Sequence, residues 1–380
     1  MLNEWPPIAM RVSTETIGHF TLCKQAFPLR CPHSGDTMNL PLRLTIWPLA
    51  ACLGFLALGC AAQPRPDCKP APENVAELVQ IRPRFHTVKG PLAEFDPCHK
   101  SSQLTVPSRW NGSPLAIKPP LMIIAHGGGG LGMLERNLAT ALQKKDIATL
   151  VFDAYQMNGF YQGYPFWGSQ ATNESRQRMI YKAAKGAYEW ALTQSDKIDT
   201  RSIYLQGVSN GAAVVANLAS VVSPEHVKAV FAEGLPGMGI GLPDTVAVPV
   251  KLVFGKLDNY GGKHPEDWMW QRQESCLVNR APSSEIPVGN AARCNGRQNP
   301  TDLTEKPIDW MNRLKAQKAD IDVWFYDNAA HGIFQGPIDR KMLTYGTDNV
   351  TFSWTGSENS AKEKMLADLL KLIQNPPTPP

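Results

Sequence analysis

From Leu121 onward the chain alternates between short runs that are apolar at almost every position and longer mixed stretches. Leu121-Met122-Ile123-Ile124-Ala125 is apolar throughout, as suits a central parallel strand covered on both faces. A helix is predicted near Leu134 to Lys145, a strand at Thr149 to Asp153 and, after a long aromatic loop, a helix from about Glu174 to Thr193. The β-rich run Ser202 to Gln206 and the helical run Ala212 to Ala219 follow. Strands are then expected at Ala229 to Glu233, Val250 to Gly255 and Val323 to Tyr326, and a last helix from about Ser360 to Ile373. Such alternation predicts an α/β fold, a doubly wound and mostly parallel sheet with helices on both faces. Upstream, Val75 to Gly112 mixes short extended pieces such as Gln103 to Val106 with turn residues, and reads as leading edge strands.

At 380 residues, 43% apolar and 19% charged, the chain buries a substantial core and is the size of an enzyme. Its net charge of +4 is spread rather than clustered, which gives no case for nucleic acid. There is no internal repeat, no heptad pattern and no C-x-x-C pair, and no cofactor or metal is expected.

The first sixty residues do not read as fold. Asn39 to Arg43 after Met38, the largely apolar run Leu44 to Gly59, and Cys60-Ala61-Ala62 have the layout of a secretory signal. Residues 1–37 have no role in such a signal and are expected to be an upstream extension, with Met38 the better start. Residues 38–62 are then the signal, 63–74 a tether, 75–375 the folded domain and 376–380 a proline-rich tail. Ala57-Leu58-Gly59-Cys60 resembles a lipobox, which would make Cys60 a lipid anchor to a membrane. Ordinary cleavage near Ala61 or Ala62, or an uncleaved anchor, are the alternatives, and all three place the body outside the cytoplasm. Four cysteines remain beyond the leader, an even number suited to an oxidising compartment, and neighbour pairing joins Cys68 with Cys98 and Cys276 with Cys294.

The chemistry centres on Gly207-Val208-Ser209-Asn210-Gly211, a G-x-S-x-G between predicted strand and helix. A serine hydroxyl is a weak nucleophile, and the sharp turn would lift Ser209 out of the backbone to meet a base. The amide of Asn210, at the new helix start, is a donor for a developing oxyanion. A second donor is expected from the glycine turn His126 to Gly132, at Gly128 or Gly129. That turn matches neither nucleotide-binding fingerprint.

Of eight histidines, His331 follows the last strand and is best placed as base. Asp258, after the strand ending at Gly255, is preferred as the acid, with Glu233 the competitor; Asp327 is expected to cap its loop. All these positions follow strands at the carboxyl edge, where doubly wound sheets carry their sites.

The glycine turn, the elbow, Gly255-x-x-Asp258 and Ala330-His331-Gly332 together resemble the α/β-hydrolases, and more closely their dienelactone hydrolase-like branch, over about Pro119 to Phe334. Dienelactone hydrolases proper use a cysteine nucleophile, so serine here points to a generic ester hydrolase. The resemblance implies an acyl-enzyme on Ser209, hydrolysed by water that His331 activates, with a small-molecule ester as partner. A peptidase or acyltransferase on the same triad, or a non-catalytic binding protein, are the alternatives. Tyr155, Phe160, Trp167, Trp268 and Trp270 lie in loops leaving the same edge, and either wall a substrate pocket or form satellite core.

Overall fold

The apolar runs pair into one seven-stranded sheet. The structure, a computed structural model, describes residues 76–82, 85–108, 115–160, 172–259, 292–293, 303–344 and 350–377. All of them belong to one unit, Gln63–Pro380.

In chain order the strands are β1 (Glu77–Arg82), β2 (Phe85–Lys89), β3 (Gln103–Thr105), β4 (Leu121–Ala125), β5 (Ala148–Val151), β6 (Ile203–Val208), β7 (Val227–Glu233), β8 (Met238–Gly239), β9 (Val250–Gly255), β10 (Ala292–Arg293), β11 (Leu303–Thr304), β12 (Ile321–Tyr326), β13 (Asp339–Thr344) and β14 (Val350–Thr355). The main sheet runs β12-β9-β7-β6-β4-β5-β3. Every neighbour in it is parallel except β3, which pairs antiparallel with β5 at the edge. Two antiparallel pairs, β1 with β2 and β13 with β14, and the small sheet β10-β11-β8 stand apart from it.

Side-chain alternation along β4 shows how this sheet is covered. Leu121, Ile123 and Ala125 join an apolar cluster with α3 (Asn173–Leu192), α4 (Asn210–Leu218) and α5 (Pro307–Ala316). Met122 and Ile124 join a second cluster with α1 (Met133–Gln143) and α6 (Asn359–Gln374). A strand buried on both faces is apolar at every position, and each large side chain so buried contributes about 2 kcal/mol. The sheet is therefore doubly wound, as the apolar runs predict. The short helix α2 (Ala154–Met157) follows β5.

The chain leaves β4 towards β5 on one side and returns to place β6 on the other. This reversal opens a crevice at the carboxyl ends of β4 and β6, where ligands bind in such sheets. The strand order and the serine turn at the end of β6 are those of the α/β-hydrolase fold. Helix α5 and the β13–β14 hairpin carried no expectation from the sequence.

Candidate active site

Ser209 sits between β6 and α4 with φ 54° and ψ −118°, a conformation costly for a residue with a side chain. Its neighbours make it possible. A Cβ on Gly207 would meet the Gly211 carbonyl, and one on Gly211 would lie 2.6 Å from the His126 carbonyl, so only glycine lets the elbow pass this close to its neighbours. The Ser209 N–H donates to the Glu233 carbonyl at 2.8 Å, which ties the elbow to the end of β7. Ser209 remains half-buried, within reach of a ligand.

His331 and Asp258 meet at the same edge of the sheet. Nδ1 of His331 lies 2.9 Å from Asp258 Oδ2, and both residues are buried. An ionised carboxylate only accepts, so Nδ1 carries the proton and Nε2 presents its lone pair. The loops that bring them are bonded to each other, with Leu257 N–H donating to the Ala329 carbonyl at 2.8 Å. The segment after β14 braces the histidine: Ala330 N–H donates to the Gly356 carbonyl, and Gly356 N–H to the His331 carbonyl. Asn259 Oδ1 accepts the Trp354 N–H in the same brace.

Gly234 links the histidine to the elbow. It follows Glu233 with φ +57°, and a Cβ there would lie 2.7 Å from His331 Cε1 and 3.4 Å from Asp258 Oδ2. The competitor acid is engaged elsewhere: Glu233 Oε1 accepts the Ile333 N–H at 2.6 Å and Oε2 accepts from Gln206 Nε2 at 3.0 Å. Burial pushes its carboxyl up to about 7, against the opposing pull of the Ile333 N–H and of His331. Asp327 pairs with Lys256 at 2.7 Å on the surface instead of capping its loop, because the exposed lysine lies within its reach.

The glycine turn passes directly over the elbow. A Cβ on Gly127 would lie 3.5 Å from Ser209 Cβ, and one on Gly128 2.8 Å from Asn210 Nδ2, whereas one on Gly129 would meet open space. Of the two glycines expected there, Gly128 is the one against Asn210. Asn210 opens α4, where the first amides have no acceptor within their own helix. Its side chain is held by Gln177 of α3, whose Nε2 donates to Asn210 Oδ1 at 2.8 Å. Arg176, beside Gln177, brings a guanidinium nitrogen within 3.6 Å of the Gly128 Cβ position.

Three polar side chains that the sequence reading did not single out for this task hold the turn. Glu135 accepts the Gly127 N–H at 3.2 Å and the Gly132 N–H at 2.8 Å. His126 accepts the Ala154 N–H at Nε2 and donates from Nδ1 to the Gly127 carbonyl. Asp153 Oδ2 accepts the Leu131 N–H, while Oδ1 accepts from Tyr155 and Gln156 at the start of α2. An acid three residues into a helix after a glycine turn was the available signal for Glu135.

Tyr155 corrects an expectation. It is completely buried in the core, its ring edge-on to His126 at 4.7 Å, and has no surface with which to wall a pocket. Phe160 packs half-buried against the same core. Tyr155, one step into a helix that caps the sheet edge, turns inward, and Phe160, three residues past that helix, is held beside it by its N–H to the Tyr155 carbonyl at 2.9 Å. Trp167, Trp268 and Trp270 lie outside the described residues, as do Cys60, Cys68, Cys276 and Cys294. Cys98 is disulfide-bonded.

Neither the comparison with family models nor that with curated proteins gave a match. Among solved structures the chain is similar to a dienelactone hydrolase from Anabaena variabilis ATCC 29413, at 14% identity and TM-score 0.40 over 73% of this chain and 92% of that one. It is also similar to esterase 2 of Thermogutta terrifontis, at 12% identity and TM-score 0.44 over 80% and 96%. Est1E from Butyrivibrio proteoclasticus aligns at 14% identity and TM-score 0.35 over 68% and 90%. Values this low leave the fold resting on the chain's own strand order. By that order, and by the serine turn at the carboxyl end of β6, the chain has the α/β-hydrolase fold and resembles the dienelactone hydrolase-like and esterase structures that share it.

Proposed function

We propose that the chain is an exported serine hydrolase that cleaves carboxylic esters through an acyl-enzyme. The observation that carries this reading is the convergence at one sheet edge of a strained, accessible Ser209 and a buried His331–Asp258 pair joined at 2.9 Å. In this mechanism Ser209 Oγ bonds to the ester carbonyl carbon while its proton passes to His331 Nε2. Asp258 stabilises the imidazolium and fixes the ring's orientation. The carbonyl oxygen becomes an oxyanion facing the backbone amides of Asn210 and Gly128. Collapse breaks the bond to the alcohol, which leaves with the proton from His331. Water then gives a proton to His331 Nε2 as its oxygen bonds to the acyl carbon, and that carbon's bond to Ser209 breaks as Oγ takes the proton back from His331, which releases the acid and restores the site.

Export rests on the signal-like leader and on the even number of cysteines beyond it. Cys60 is proposed as the lipidated residue.

Steady-state hydrolysis of short and aromatic p-nitrophenyl esters, compared between the wild type and Ser209→Ala, tests the reading. Turnover by the wild type that Ser209→Ala lowers by at least about 10³-fold is expected. Absence of turnover, with cleavage of amide substrates in its place, would move the chemistry to peptidases.

A further inference from the structure

Glu233 is a buried carboxylate that the proposed reaction leaves without a role, yet it touches every part that must stay in register. Its main-chain carbonyl accepts the N–H of Ser209. Its Oε2 accepts from Gln206, on the strand that leads into Ser209. Its Oε1 accepts the N–H of Ile333, two residues beyond His331, at 2.6 Å. Asp258 holds the imidazole from the ring side, whereas Glu233 holds the backbone that carries it.

We propose that Glu233 is a positioning residue for the Ser209–His331 pair: its two oxygens tie the histidine loop to the nucleophile's strand, and its charge stabilises the imidazolium that forms when Ser209 gives up its proton. This deepens the serine hydrolase reading and rests on it. The electrostatics follow from the neighbours. Burial raises the Glu233 carboxyl to about 7; the Ile333 N–H and His331 favour its charge, while the carboxylates of Asp258 and Glu135 oppose it. The Tyr326 hydroxyl, on β12 two strands away, is pushed up by burial and by Asp368, and also feels the Glu233 charge. Glu233 thus gains and loses its proton near neutral pH, and only its ionised form stabilises the imidazolium. Two groups, not one, must then be deprotonated for full activity.

The test is the rate at which a fluorophosphonate labels Ser209 in the full-length chain, followed from pH 5 to 9, which needs no knowledge of the natural ester. Wild type is expected to lose labelling on the acid side more steeply than one proton allows. Glu233→Gln keeps the size of the side chain and an acceptor for Ile333 but not the charge. It is expected to label about tenfold more slowly at pH 8, with a single-proton acid limb. Gln206→Met, which removes a donor from the ionised form, is expected to move the second ionisation to higher pH, and decides the matter if Glu233→Gln does not fold. Acid limbs identical to wild type in the variants would overturn the inference while leaving the hydrolase intact. A wild type that does not label at all would overturn the hydrolase reading, and the inference with it.

Discussion

His331 and Asp258 stand 73 positions apart in the chain, yet their side chains are joined at 2.9 Å in the interior. The pairing gives the carboxylate one task, to hold the imidazole with Nε2 outward. Asp258→Asn keeps the shape and loses the charge and the tautomer it enforces. We expect kcat to fall by about 10⁴-fold with the fold retained, by steady-state kinetics and circular dichroism. Glu233 is not expected to take over, because Gln206 and Ile333 already occupy its oxygens.

Gly234 offers a purely steric test. A methyl group there would press on His331 Cε1 from 2.7 Å and would require an L residue at φ +57°. Gly234→Ala is expected to cost about 1–2 kcal/mol of stability. It should also lower kcat about 10²-fold by displacing the imidazole, with KM little changed. Denaturant titration and kinetics on the same preparation separate the two effects.

Glu233 also sets a pH dependence of stability. Its folded value of about 7 lies above the ordinary 4.5, so the native state holds a proton that the unfolded chain gives up between those limits. The stability it contributes is fully present below pH 4.5 and is lost as pH rises through 7, by about 3 kcal/mol. Urea unfolding at pH 5 and pH 8 should show wild type losing about that much more than Glu233→Gln. Equal losses would contradict the assignment.

Glu135 is expected to matter through the backbone. Glu135→Ala strips the acceptor from the Gly127 and Gly132 amides. About 2 kcal/mol of stability should go with it. Because the turn lies over the elbow, ester turnover should fall further than the loss of folded protein explains, measured at a temperature where the variant is still native.

Much of this architecture is legible in the sequence. Leu121 to Ala125 is apolar at every position because a strand covered on both faces announces itself throughout, and Val250 to Gly255 has its expected bounds although Lys251 interrupts the run to pair with Asp320. The elbow was legible because its two glycines have a steric cause that no other residue satisfies. Asp258 and His331 followed from the rule that sites gather at strand ends. Tyr155 was not legible: an aromatic after a strand can turn to solvent or to the core, and only the packing of α2 decides. Nor was Gln177, whose partners are the Asn210 side chain and the Met238 carbonyl, far away in sequence. Helix α5 hides Trp310 and Leu314 among polar neighbours, so no apolar run marks it.

The central claim is that Ser209 is an activated nucleophile. Treatment of the purified full-length chain with a fluorophosphonate, followed by peptide mass spectrometry, tests it most directly. The account predicts one covalent adduct, on Ser209, that forms at neutral pH and is absent in Ser209→Ala and strongly slowed in His331→Ala. A folded wild type that takes up no label, or takes it up equally in Ser209→Ala, would contradict it.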